Sequence, residues 1–118
     1  MVRNMNDIVK KLEKVAKYAK AGSDGFAIHP KYWMKLKNDL DELVKEKAIE
    51  PFLYESIEEV EEEMKSDIET FGGFGILSGM PLFDLTKKGA NELKKAKDNG
   101  ELDEKEYYNI LLNLGWRK

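Results

Sequence analysis

The run Phe71-Gly72-Gly73-Phe74-Gly75-Ile76-Leu77-Ser78-Gly79-Met80-Pro81-Leu82-Phe83 constrains this chain more than any other stretch. Charged, amphipathic sequence flanks it on both sides. Within it charge vanishes and apolar residues alternate with glycine. Four glycines in the eight residues 72–79 exclude a stable helix, because glycine weakens a helix interior and tolerates conformations that other residues avoid. Pro81 removes a backbone donor and biases Met80 towards extended geometry. Two short extended segments around a Ser78-Gly79 turn satisfy all of this. Such an element is either a buried β-hairpin or apolar loop under the helices, or an exposed apolar patch that meets a partner. A phosphate-binding loop does not fit. The glycine spacing is wrong, no Lys-Ser/Thr follows, and a helix precedes it.

Around that centre the spacing predicts about five helices. The first runs from about Asn6 to Ala21, with Met5, Ile8, Leu12, Val15 and Ala19 at steps of three and four. Asn4 or Asn6 caps it and Gly22 stops it. Phe26-Ala27-Ile28 suits a short strand. His29-Pro30 opens the second helix, proline being free of cost in a first turn. Trp33, Leu36, Leu40 and Leu43 or Val44 give its inner face. Residues 48–54 form a partly extended connector. Ser56 and Glu59 make a capping box for a third helix reaching about Phe71, with Ile57, Val60, Met64, Ile68 and Phe71 inward. Asp84 caps a fourth helix to about Lys97, within which Gly89 marks a bend or a close approach. Asp103 and Glu106 cap a fifth, with Tyr107, Leu111 and Leu114 inward and Trp116 closing its end.

The fold class expected is therefore mainly α, about five helices with a small β element from 26–28 and 74–83, in a single α+β domain. A length of 118 residues agrees with one domain. Residues 1–98 make a helical core domain that carries the 71–83 loop or hairpin, and 99–118 add the C-terminal helix of a helical hairpin.

Charge is unevenly spread. Residues 1–48 carry 11 basic and 7 acidic side chains, 49–70 carry 1 and 9, and 71–118 carry 8 and 7. The acidic third helix is either a solvated face or a surface for a basic partner, the basic first helix of a second copy included. Lys10, Lys14, Lys17 and Lys20 form a basic stripe on the first helix, but aromatic residues scarcely interleave with it. Nucleic acid is thus the alternative partner, not the expected one.

Catalysis has little to stand on. The chain has no cysteine and a single histidine, His29, whose place before a proline suits a cap or turn. No second nitrogen ligand stands at metal-site spacing. Ser78 lacks the glycine of a nucleophile elbow. A carboxylate-dependent enzyme is the remaining alternative in that class, with no pair of acids singled out. No catalytic, cofactor or metal residues are therefore assigned. No membrane span or leader is visible, so the expected location is cytoplasmic.

Two resemblances bear on function. Leu93-Lys94-Lys95-Ala96-Lys97-Asp98-Asn99-Gly100-Glu101-Leu102-Asp103-Glu104-Lys105-Glu106-Tyr107 resembles the short C-terminal helical hairpin known as SHOCT. Gly100, Leu102, Glu106 and Tyr107 fit its pattern, and Asp103 stands where threonine is usual. That resemblance covers 15 of the 118 residues and implies an oligomerisation or docking element. The order from Phe26 to Leu85, through His29-Pro30 and Trp33 to Gly79-Met80-Pro81-Leu82-Phe83, looks like part of the tailed-phage major capsid fold. It implies a phage or mobile-element origin. The expected function is a small, non-enzymatic interaction or assembly protein that binds a protein partner or itself. Phe74, Ile76, Leu82, Phe83, Tyr107 and Leu111 are the candidate contact residues.

Overall fold

The computed structural model describes residues 6–22, 25–51, 55–71 and 82–116. Helix α1 spans Asp7–Tyr18, and strands β1 (Ala19–Ala21) and β2 (Phe26–Ile28) follow. Next come α2 (Pro30–Lys45), β3 (Ile49–Pro51), α3 (Ile57–Phe71) and β4 (Phe83–Leu85). Helices α4 (Lys87–Asp98) and α5 (Glu104–Asn113) close the chain. The α+β class is as expected, with five helices and a small antiparallel sheet in the order β1-β2-β4-β3 among the described residues.

Strand pairing explains two departures from the sequence reading. The first helix stops at Tyr18, not Ala21, because Ala19, Lys20 and Ala21 pair with Ile28, Ala27 and Phe26 in a hairpin. Alanine favours helix, but a cross-strand ladder overrides a propensity worth under about 1 kcal/mol per residue. Likewise Asp84 is not a cap. It lies in β4 opposite Glu50 of β3, and Thr86 caps α4 by accepting the Gly89 N–H at 3.1 Å.

The other helices start on the capping residues expected, although the Ser56–Glu59 pair makes only half of its capping box. Asn6 Oδ1 accepts the Val9 N–H at 2.8 Å. His29 Nδ1 accepts from Lys31 N–H at 3.1 Å, with Pro30 in the first turn of α2. Ser56 Oγ accepts from Glu59 N–H at 3.2 Å, while the Glu59 carboxylate reaches one residue further back than a capping box requires, to Glu55 N–H at 2.6 Å. Asp103 and Glu106 close a full capping box on α5.

The core lies between the helices and the sheet. Val9, Leu12, Val15 and Ala16 of α1 meet Leu36, Leu40 and Leu43 of α2, Ala90, Leu93 and Ala96 of α4, and Ile110 and Leu114 of α5. Phe83 stacks against Phe26 at 5.7 Å and against Trp33 at 6.4 Å. Its ring therefore joins the sheet to α2. Gly89 is the expected close approach. A Cβ there would run into the Ala48 carbonyl oxygen and lie 2.7 Å from Leu85 Cδ1. Glycine lets α4 settle directly onto the chain entering β3, where Thr86 N–H also donates to Ala48 O at 3.1 Å.

Candidate interaction groove

Helix α2 turns Trp33, Leu36, Leu40 and Leu43 inward. Pro30, Met34 and Lys37 are left on its shoulder. Helix α3 docks on α2 through Ile57, Val60 and Met64, which are buried at spacings of three and four. Its Ile68 and Phe71 side chains, placed on the same face by spacing, lie outside the described residues. A groove of about 330 Å³ remains between the shoulders, lined by Pro30, Trp33, Met34, Lys37, Glu61, Met64 and Lys65. Met34 is 79% exposed at its lip.

One carboxylate organises the groove. Glu61 accepts the Trp33 indole N–H at 2.5 Å and holds the Lys37 ammonium at 2.9 Å, with Lys65 at 3.8 Å. The indole hydrogen bond, and then that of Lys37, holds the Glu61 carboxyl below the usual carboxylate range. The Trp33 ring is buried, and a buried indole needs a partner for its N–H. Glu61 supplies it and thereby fixes the ring that packs on Phe83. Beyond the groove, α3 presents the row Glu58, Glu62, Lys65 and Glu69, all exposed. Lys65 is engaged by Glu61. Among the described residues no cation lies within salt-bridge distance of Glu58, Glu62 or Glu69.

The residues singled out from sequence fall elsewhere. Leu82 and Phe83 are fully buried, and Leu82 N–H donates to Phe26 O at 2.8 Å. They are core here, in line with the buried alternative for the end of the glycine-rich run. Phe74 and Ile76 lie outside the described residues. Leu111 is 8% exposed and packs inside the globule. Tyr107 is half-buried beneath the Lys97 ammonium, 4.7 Å from its ring centre. The exposed apolar residues of α5 are instead Tyr108 and Leu112, one turn apart, at 54% and 69%. Neither these nor Met34 follow from an inward stripe. The one available signal was a methionine among Lys31, Lys35, Lys37 and Asn38, on an arc that should be polar.

Other surfaces carry paired charges. Within the lysine stripe of α1, Lys14 pairs with Asp39 at 2.8 Å, and beside the stripe Lys11 pairs with Glu42 at 2.6 Å. A recess of about 520 Å³ beside α1 is lined by Asn6, Lys11, Glu42 and Glu92, and Asn6 Nδ2 donates to Glu92 at 2.7 Å. At the far end of α1, Tyr18 and Tyr32 lie 4.8 Å apart. Lys35 covers Tyr18 and Lys31 covers Tyr32. Lys35 donates to the Tyr18 hydroxyl at 2.7 Å, which pulls that phenol below its ordinary range. Among the described residues no cluster of three or more acids or histidines is placed to hold a metal ion, and no helix is long and apolar enough to cross a membrane.

Together these features define a small α+β domain that carries an apolar groove with an acidic flank. Comparison of the chain with protein-family profiles, curated proteins and solved structures finds no match.

Proposed function

We propose that this chain is a small interaction or assembly module, not an enzyme, and that its contact surface is the α2–α3 groove. The observation that carries the reading is Met34, a large apolar side chain 79% exposed beside Trp33 and Met64. Burying such a side chain against a partner is worth roughly 1.5–3 kcal/mol. The resemblance of 93–107 to the SHOCT hairpin supports an assembly role. The likeness of 26–85 to part of a capsid fold supports a phage or mobile-element setting.

The test is site-specific photo-cross-linking, with benzoylphenylalanine in place of Met34 in cells that naturally make the protein. A discrete adduct is expected, absent when the same group replaces Lys94 on the exposed side of α4. Identical patterns at the two positions would overturn the reading.

A second reading is contact with nucleic acid. It is favoured by the Tyr18–Tyr32 pair with its two lysines, since bases stack on such rings and phosphates meet such cations. Binding of a labelled single strand that weakens steeply with salt would support it. Salt-independent binding, or none, would remove it.

A further inference from the structure

We infer that the occupant of the α2–α3 groove is a basic amphipathic helix. This rests on the reading of the groove as the contact surface and adds the chemistry of the partner. Three observations point the same way.

The first is shape and lining. Two packed helices leave a trough between their shoulders, with Trp33 and Met64 in its lining and Met34 at its lip. A trough of about 330 Å³ lies at the small end of the range of ligand sites, roughly 300–1,000 Å³, and has room for about one or two anchoring side chains. Anchors repeated every three or four residues along one helix face fit a trough of this kind. Methionine suits the task because it is unbranched and polarisable, and so adapts to varied apolar anchors.

The second is charge. Glu58, Glu62, Lys65 and Glu69 follow at steps of four, three and four, one continuous row beside the groove. The lysine in that row leans to Glu61, as does Lys37 from α2. Three glutamates therefore face solvent along the flank with no cation of their own among the described residues. A partner helix with apolar anchors in the groove would bring its adjoining arc over this row. Lysine or arginine there meets complementary charge, whereas glutamate would be repelled.

The third is that the groove is set in place before a partner arrives. Trp33 is held from both sides, by Phe83 in the core at 6.4 Å and by Glu61 at 2.5 Å. A partner would not have to order the ring itself, which reduces the entropic cost of association.

The experiment uses the intact chain and two synthetic peptides of about 18 residues, roughly five helical turns. One is an amphipathic leucine–lysine helix. The other has glutamate in place of every lysine. Calorimetry should show binding of the basic peptide alone, weaker as salt rises. Trp33 emission should shift on binding in a Trp116→Phe background. Met34→Glu, and separately Glu58→Lys with Glu62→Lys, should each weaken binding about tenfold or more while the helical circular-dichroism signal stays unchanged. All three glutamates and Met34 are exposed, so the variants should fold.

Equal binding of both peptides, or binding that neither variant alters, would overturn the inference. If the basic peptide fails to bind while position 34 still cross-links to a second copy or a foreign protein, the basic helix is wrong and the interaction reading stands. Failure of both experiments removes both.

Discussion

Lys47 occupies a position that most helices give to glycine. Helix α2 ends with Lys47 N–H donating to Val44 O and Ala48 N–H to Leu43 O, a Schellman motif, and Lys47 has φ of 62°. Helix α4 ends in the same way with Gly100 at φ of 79°. The left-handed conformation costs a residue with a Cβ about 1–2 kcal/mol. Lys47→Gly should therefore stabilise the protein by about 0.5–1 kcal/mol, the gain being trimmed by the greater freedom of glycine in the unfolded chain. Urea unfolding measures this directly, and a loss of stability would mean that the lysine side chain contributes more than its strain. Glu61 gives a second prediction at this scale. Its folded carboxyl lies below the ordinary value of 4.5, so its contribution is present above that value. It is lost as pH falls through the lower, folded value. Glu61→Gln keeps an acceptor for Trp33 but does not titrate. Its unfolding free energy should fall less steeply with acid below about pH 4.5 than that of the parent. Parallel curves would show that Trp33 and Lys37 do not favour the charged form.

Among the elements, α4 shows how a start signal is misread. Asp84 and Thr86 both precede the helix, and both residue types cap well. Strand pairing at Leu85 and Asp84 takes the earlier one out of contention. Thr86 Oγ1 accepts from Gly89 N–H and donates to Lys47 O at 2.5 Å, so it joins the start of α4 to the end of α2. Thr86→Ala should cost about 1–2 kcal/mol, the upper range for a cap. Thr86→Ser, which keeps the hydroxyl, should recover most of the loss in the same thermal melts. An alanine variant as stable as the parent would mean that water replaces the hydroxyl at both bonds. Helix α3 presents the opposite case. Its capping serine, its length and the first half of its inner stripe were all legible, because each rests on spacing within the helix itself.

For the whole molecule, the question is whether the C-terminal hairpin is an appendage or part of the core. Helix α5 buries Ile110 and Leu111, and Leu114 follows at 0% exposure, against α1 and α4. Removing one such residue to alanine commonly costs 2–5 kcal/mol, a large share of a domain's stability of roughly 5–15 kcal/mol. A chain ending at Lys97 loses all three and should show no cooperative thermal transition. A truncated chain that melts near the parent temperature would make α5 peripheral and free to act as a docking hairpin. Helices α4 and α5 pack on one another, and both pack on α1. The proposed contact residue Leu111 turns inward, and the exposed pair is Tyr108 and Leu112.

By itself the sequence determined the number and rough extent of the helices, the strand at 26–28, most caps and the inner face of α2 with the first half of that of α3. These are local: a 3.6-residue period, a hydroxyl or carboxylate three residues before a free N–H, a proline in a first turn. On α1 the sequence placed Leu12 and Val15 but set Ile8 and Ala19 inward where Val9 and Ala16 are buried. Only the tertiary structure decided that Ala19–Ala21 leave the helix for a strand, that Thr86 displaces Asp84, that Lys47 takes a left-handed turn, and that Leu82 and Phe83 are core. It also decided that Trp33, Met34 and Glu61, from two helices, share one groove. Each depends on which distant segment lies alongside. A backbone ladder, a ring stack or an indole hydrogen bond joins residues that no short-range pattern relates.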